Sequence, residues 1–179
     1  NFTVNLADQL RRGDIDVAII ALPFSDQGIV ARPVYEEPFC VAMPVGHPFS
    51  ALESIQREQL ANQSLLLLGK GNCFRDQVVE ACPKPTPAVG LEGALEGSSL
   101  ETLRHMVASG AGISVVPVSA AESWPKESGL LEIRRFTDPQ PTRHVALAWR
   151  VTFPRPQVID VLHAAIEDSP PPGVVLAPR

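Results

Sequence analysis

The feature that most constrains this sequence is the alternation of short apolar runs with segments of helical spacing, punctuated by glycine and proline. Residues 5–12 place Leu6 and Leu10 four apart on one helix face and stop at Gly13, a residue suited to the position just past a helix end. Residues 14–22 follow at once as a nearly continuous apolar run, the pattern of a strand buried on both faces of a parallel sheet. Residues 30–34 and 38–45 read as extended, and a polar helical patch lies around residues 54–60. Strands are expected at 64–68, 113–117 and 144–151, with a weaker one at 88–91, and residues 134–143 read as irregular. Ser98, with Glu101 three residues on, has the pattern of a capping box. It opens a helix whose apolar face is Leu100, Leu103 and Val107, and which Gly110-Ala111-Gly112 ends. A closing helix at 157–166 carries Val158, Val161, Leu162 and Ala165 on one side. Strands that alternate with helices imply an α/β protein with mostly parallel sheets.

Bulk properties narrow the class. A chain of 179 residues buries a sizeable core as one domain or as two small ones. A net charge of −5 argues against this segment being a nucleic-acid-binding surface, which needs a basic face. No apolar run approaches the ~18 residues of a membrane span, and the start lacks the basic and apolar regions of a signal peptide. Three cysteines, an odd number, do not form a secreted disulfide framework, so a reducing cytoplasmic setting is expected.

The segment 71–83 carries the chemistry. Asn72 suits a helix N-cap, and Cys73 then falls at the first helical position, where the helix dipole, Lys70 and Arg75 favour a thiolate. Pro83 stops the helix at Cys82. Nine residues of α-helix span about 13 Å at ~1.5 Å per residue, whereas a disulfide needs Cα atoms roughly 4.4–6.8 Å apart. These thiols therefore cannot pair while the helix stands. Phe74, Val78 and Cys82, four apart, form the face expected to be buried in the reduced form. Cys40 alternates with Phe39 and Val41 and reads as core. His47, His105, His144 and His163 show no metal-ligand spacing, and Gly69-Lys70-Gly71 lacks the ending of a phosphate loop. No metal and no cofactor is expected.

Three segments together resemble the effector domain of LysR-type transcriptional regulators, in particular their peroxide-sensing branch. They are Gln9-Leu10-x-x-Gly13-x-Ile15-Asp16-Val17-Ala18-Ile19, Gly71-x-Cys73-Phe74-Arg75-Asp76-Gln77 with Cys82, and Ser99-Leu100-Glu101-Thr102-Leu103-Arg104-x-Met106-Val107-Ala108-x-Gly110-x-Gly112-Ile113. The resemblance implies two Rossmann-like lobes, as in periplasmic binding proteins. One comprises residues 1–39 plus 142–179 and the other residues 40–141, which carry the cysteines. It also implies that a first βα unit and an N-terminal helix-turn-helix domain precede the region seen here. Cys73 matches the peroxide-reacting cysteine and Cys82 its resolving partner, while Thr3, Asn72, Arg75 and Asp76 match positions of the peroxide pocket. Asn72 departs from the histidine usual in that branch, and an asparagine carries no proton charge.

The implied partners are hydrogen peroxide, a second copy of the chain in a homodimer or tetramer, and promoter DNA through the helix-turn-helix. RNA polymerase and a thiol reductant such as glutaredoxin or thioredoxin complete the set, with no membrane. The chain is expected to be a regulator and not an enzyme. The alternative reading is a LysR-type effector domain that takes a small carboxylate between its lobes, with incidental cysteines. A thiol peroxidase ranks lower still, since no peroxidase motif is visible.

Overall fold

The computed structural model describes the backbone of residues 3–82, 96–124 and 129–178, with side chains from residue 5 onward. The strand expected at 88–91 lies outside the described residues. The chain divides into two compact units, residues 1–37 with 142–179, and residues 38–141.

The first unit begins with α1 (Thr3–Arg12), which ends at Gly13 with φ of +77°, and continues into β1 (Val17–Ala21). The first half of β2 (Ile29–Pro44), then β8 (Thr142–Arg150), α5 (Pro156–Asp168) and β9 (Val175–Leu176), complete it. β1 pairs antiparallel with β8, Val17 opposite Trp149 and Ala21 opposite Val145, and β9 pairs antiparallel with β2 at Tyr35 and Glu36. Side chains alternate across this sheet as the pleat requires. Ala18, Ile20, Ala146 and Ala148 pack with Leu10 of α1, and Val34, Val145 and Leu147 pack with Ile159 of α5.

Two expectations fail here for one reason. β1 is not buried on both faces, because Ile19 is 60% exposed. In α5 the buried residues are Ile159 and His163, while Val158, Val161, Leu162 and Ala165 are exposed. The helix is tied to β2 by Arg32–Asp160 at 2.8 Å and by His163 Nε2 to the Pro33 carbonyl at 3.2 Å. It covers Val34 and Leu147 but does not reach Ile19. Spacing identifies an apolar stripe; the neighbour decides which stripe is buried.

In the second unit the rest of β2 leads to β3 (Ser54–Ile55), β4 (Leu65–Leu68), α2 (Cys73–Ala81), β5 (Glu96–Gly97), α3 (Leu100–Ala108), β6 (Ile113–Pro117), α4 (Val118–Ser123) and β7 (Leu131–Phe136). The strand order is β5-β4-β6-β2-β7-β3. β5, β4 and β6 are parallel, β2 is antiparallel to both β6 and β7, and β3 is parallel to β7. The sheet is therefore mixed; the mostly parallel arrangement holds only in the half that carries α2 and α3. The patch at 54–60 is a short strand followed by a 3₁₀ turn at Arg57–Asn62, and β7 occupies the start of the stretch read as irregular. The capping box is also displaced. Ser99 caps α3 by accepting from the Thr102 N–H at 3.1 Å, and Glu101 pairs with Arg104.

Gly110 ends α3 at φ of +81°, whereas Gly112 is set by packing. A Cβ at Gly112 would lie 2.4 Å from the Ser64 carbonyl oxygen, on the chain entering β4. The core includes Phe39, Val41, Met43, Leu66, Leu103, Val107, Val115 and Val116, which α2 joins through Phe74, Val78 and Cys82.

Candidate functional site: the helix between two cysteines

α2 begins where β4 ends, after a turn in which Gly71 takes φ of +87°. Asn72 has an extended backbone, and its side-chain oxygen accepts from the Phe74 N–H at 3.0 Å, satisfying one of the free amides at the helix start. Cys73 is the first helical residue and is partly exposed. The Phe74 ring meets Phe39 of β2 edge to face, with centroids 5.2 Å apart. Val78 is buried one turn on, and Cys82, only 2% exposed, closes the helix by donating its N–H to the Val78 carbonyl at 3.0 Å. The buried face is thus the one that the spacing of Phe74, Val78 and Cys82 predicts. All three cysteines are free thiols, and Cys40 is buried with its Sγ 3.5 Å from the Val116 carbonyl oxygen.

The electrostatics separate the two ends. Burial raises the Cys82 thiol to about 11, with the positive charge of Arg57 acting in the opposite direction. Cys82 is thus held as a neutral thiol while α2 is intact. Arg75, expected to act on Cys73 as a cation, is committed elsewhere. Its guanidinium donates to the Leu68 carbonyl at 2.7 Å and to Glu96 at 2.9 Å. Asp76 is exposed on the first turn of α2. Asn72, Cys73, Arg75 and Asp76 are therefore together at one helix end. Thr3 opens α1 in the other unit, and its side chain lies outside the described residues.

Sequence reasoning missed Glu96 and Arg57. Both act on the helix from distant parts of the chain, Glu96 by strand pairing beside β4 and Arg57 through its charge from a 3₁₀ turn, so no local spacing announces them. A polar cavity of about 280 Å³ in the same unit, with His47, Ser64 and Gly112 in its lining, includes no residue of α2. Among the described residues no cluster of histidine, cysteine and carboxylate side chains is arranged to hold a metal, and no helix is long and apolar enough to cross a membrane.

The family model of the LysR substrate binding domain matches residues 1–170. The fold is similar to the reduced form of the OxyR regulatory domain from Pseudomonas aeruginosa, with a TM-score of 0.83 and 53% identity over 93% of this chain and 79% of that one. A reduced form of OxyR from N. meningitidis gives a TM-score of 0.87 at 40% identity, covering 99% of this chain and 82% of that one. Among curated relatives, a probable hydrogen peroxide-inducible genes activator of Streptomyces viridosporus is 34% identical over 167 residues, 93% of this chain and 53% of that protein. The chain spans about half the length of the curated relatives it matches. The chain belongs to the LysR substrate binding domain family, in the branch of the OxyR regulatory domains.

Proposed function

We propose that this chain is the sensory part of a transcription activator, responding to hydrogen peroxide through Cys73 and Cys82. The observation that carries the reading is the placement of the two thiols on α2. One is partly exposed at the capped start, and the other is buried and neutral at the end. In the first step the Cys73 thiolate attacks one peroxide oxygen. The O–O bond breaks, Cys73 becomes a sulfenic acid, and the departing hydroxide takes up a proton as water. In the second step the Cys82 sulfur attacks the sulfenic sulfur. The S–O bond breaks, the Cys82 proton leaves with the hydroxyl as a second water, and the S–S bond forms. Two thiols and one peroxide give one disulfide and two waters.

The helix separates these steps. Cys82 is a weak nucleophile while buried and protonated, and the nine-residue span keeps it out of reach of Cys73. Condensation therefore requires α2 to open, with Phe74 and Val78 leaving the core at a cost of about 1.5–3 kcal/mol each. The oxidised segment then packs differently, and this is the two-state element through which a regulator would report. Thr3, Asn72, Arg75 and Asp76 are proposed to shape the peroxide site. Promoter DNA, further copies of the chain, RNA polymerase and a cytoplasmic thiol reductant such as glutaredoxin or thioredoxin are the proposed partners of the full-length regulator.

The test is stoichiometric. Reduced protein is treated with one equivalent of peroxide, free thiols are alkylated, and the products are mapped by mass spectrometry. A Cys73–Cys82 disulfide with Cys40 still alkylated is the expected product. If all three cysteines remain alkylatable, or if a Cys73→Ser protein still forms a peroxide-dependent bond, the reading fails.

A further inference from the structure

Glu96 holds the turn that presents Cys73 from both sides. One carboxylate oxygen accepts from the Arg75 guanidinium at 2.9 Å, and the other lies 3.4 Å from the Lys70 backbone N–H, which donates to it. Arg75 also donates to the carbonyl of Leu68, the last residue of β4, at 2.7 Å. These bonds close residues 68–75 into a ring with Cys73 inside it. The carboxylate itself is anchored outside that ring. Glu96 lies on β5, opposite Leu67 of β4, and the Gly69 N–H donates to the Gly97 carbonyl at 3.2 Å.

We propose that Glu96 is a positioning residue that holds the reduced arrangement of the Cys73 turn and so sets how readily the Cys73–Cys82 pair is oxidised. The proposal rests on the sensor reading above. Arg75 lies inside the segment 73–82 that must leave its helical path before the two sulfurs meet. Its bonds to Leu68 and Glu96, which span from the first turn of α2 to two fixed strands, belong to the reduced state. A contact made in one of two states shifts the equilibrium toward that state by its differential free energy. The Arg75–Glu96 bond therefore opposes oxidation, and its removal favours the disulfide. With side-chain exposures of 20% and 37%, the pair is only partly shielded from solvent. The expected shift is thus modest, about fivefold to tenfold in the equilibrium constant.

Glu96→Gln keeps the size of the side chain and removes its charge, and Glu101→Gln removes an equal charge from the Arg104 pair on α3 as a control. Two measurements on the whole chain decide the matter. Hydrogen exchange of residues 73–82 in the fully reduced protein, without oxidant, should quicken about fivefold to tenfold in Glu96→Gln and not in Glu101→Gln. The midpoint potential of the Cys73–Cys82 pair should become more negative by about 20–30 mV, the same factor for a two-electron couple. Glu96→Asp, which retains the charge on a shorter side chain, should recover part of both effects. Unchanged exchange in Glu96→Gln overturns the proposal, as does an equal change in Glu101→Gln or an unchanged potential. The exchange measurement involves no peroxide, so failure of the wild-type chain to form the disulfide removes the sensor reading while exchange still decides whether Glu96 holds the turn.

Discussion

Cys82 closes the helix that Cys73 begins, and the two thiols differ in exposure: Cys73 is partly open to solvent and Cys82 is 2% exposed. Native thiol chemistry should follow that order. With limiting iodoacetamide the reduced protein should be alkylated at Cys73 first, about a hundredfold faster than at Cys82 or Cys40, whose modification requires local opening. Peptide mapping over time measures the ratio. Equal rates at Cys73 and Cys82 would mean that α2 does not protect its C-terminal end.

Asn72 contributes to stability independently of any sensing role. Asn72→Ala removes the acceptor for the Phe74 N–H and should cost about 1 kcal/mol in urea unfolding, whereas Asn72→Ser should retain most of it. Because the cap acts on the first turn, hydrogen exchange in the Ala variant should quicken in α2 before α3.

The buried Cys82 thiol gives a pH dependence of known sign. Its folded value of about 11 lies above the ordinary 9.0. The unfolded chain therefore loses the proton at lower pH than the folded protein. The stabilisation is fully present below pH 9 and is lost as pH rises through 11, with about 2 kcal/mol of it gone by pH 11. The difference in unfolding free energy between wild type and Cys82→Ala should change by that amount between pH 8 and pH 11. A constant difference would show that the thiol is solvated in the native state.

A buried carboxylate sits at the end of the first unit's share of β2. Glu37 is wholly buried and receives the Arg143 Nε at 2.7 Å, with a second guanidinium contact at 2.6 Å, while Thr142 donates to Glu36 at 2.6 Å. Arg143→Ala removes both guanidinium contacts to that buried carboxylate and should destabilise the protein by about 3–5 kcal/mol. Replacing both partners together, as Glu37→Leu with Arg143→Met, should recover most of the loss. Chemical denaturation of the single and double variants checks this.

Gly112→Ala should cost about 1–3 kcal/mol, because the added methyl meets the Ser64 backbone oxygen and not a movable side chain. Gly110→Ala acts differently, through a backbone at φ of +81°, and meets no atom within 4 Å. Thermal melts of the two variants, with a Gly110→Asn variant that tolerates the left-handed region better, separate clash from backbone strain.

Features that depend on residues within one or two helical turns were legible in the sequence. The stop of α1 at Gly13, the Asn72 cap, Cys73 at the first helical position and the buried face of Phe74, Val78 and Cys82 all appear in the structure. Each rests on a fixed offset along a helix, and the sequence contains that offset directly. The motifs around Cys73 and Ser99 also pointed to the family, because such motifs keep their spacing wherever the fold recurs.

Other features were decided by parts of the chain that meet only after folding. Ser99 and not Ser98 caps α3, although both serines stand ready in the sequence. α5 buries Ile159 and His163 because β2 and β8 lie beneath that face, and its longer apolar stripe is left in solvent. The same holds at the cysteine helix. Local sequence fixed where the thiols stand, while the partner of Arg75 and the cation acting on Cys82 arrive from β5 and from a 3₁₀ turn before β4. Hydrogen-bonding offsets within a helix are short-range and written along the chain. Burial and charge pairing depend on distance in space, and only the packed units supply that distance.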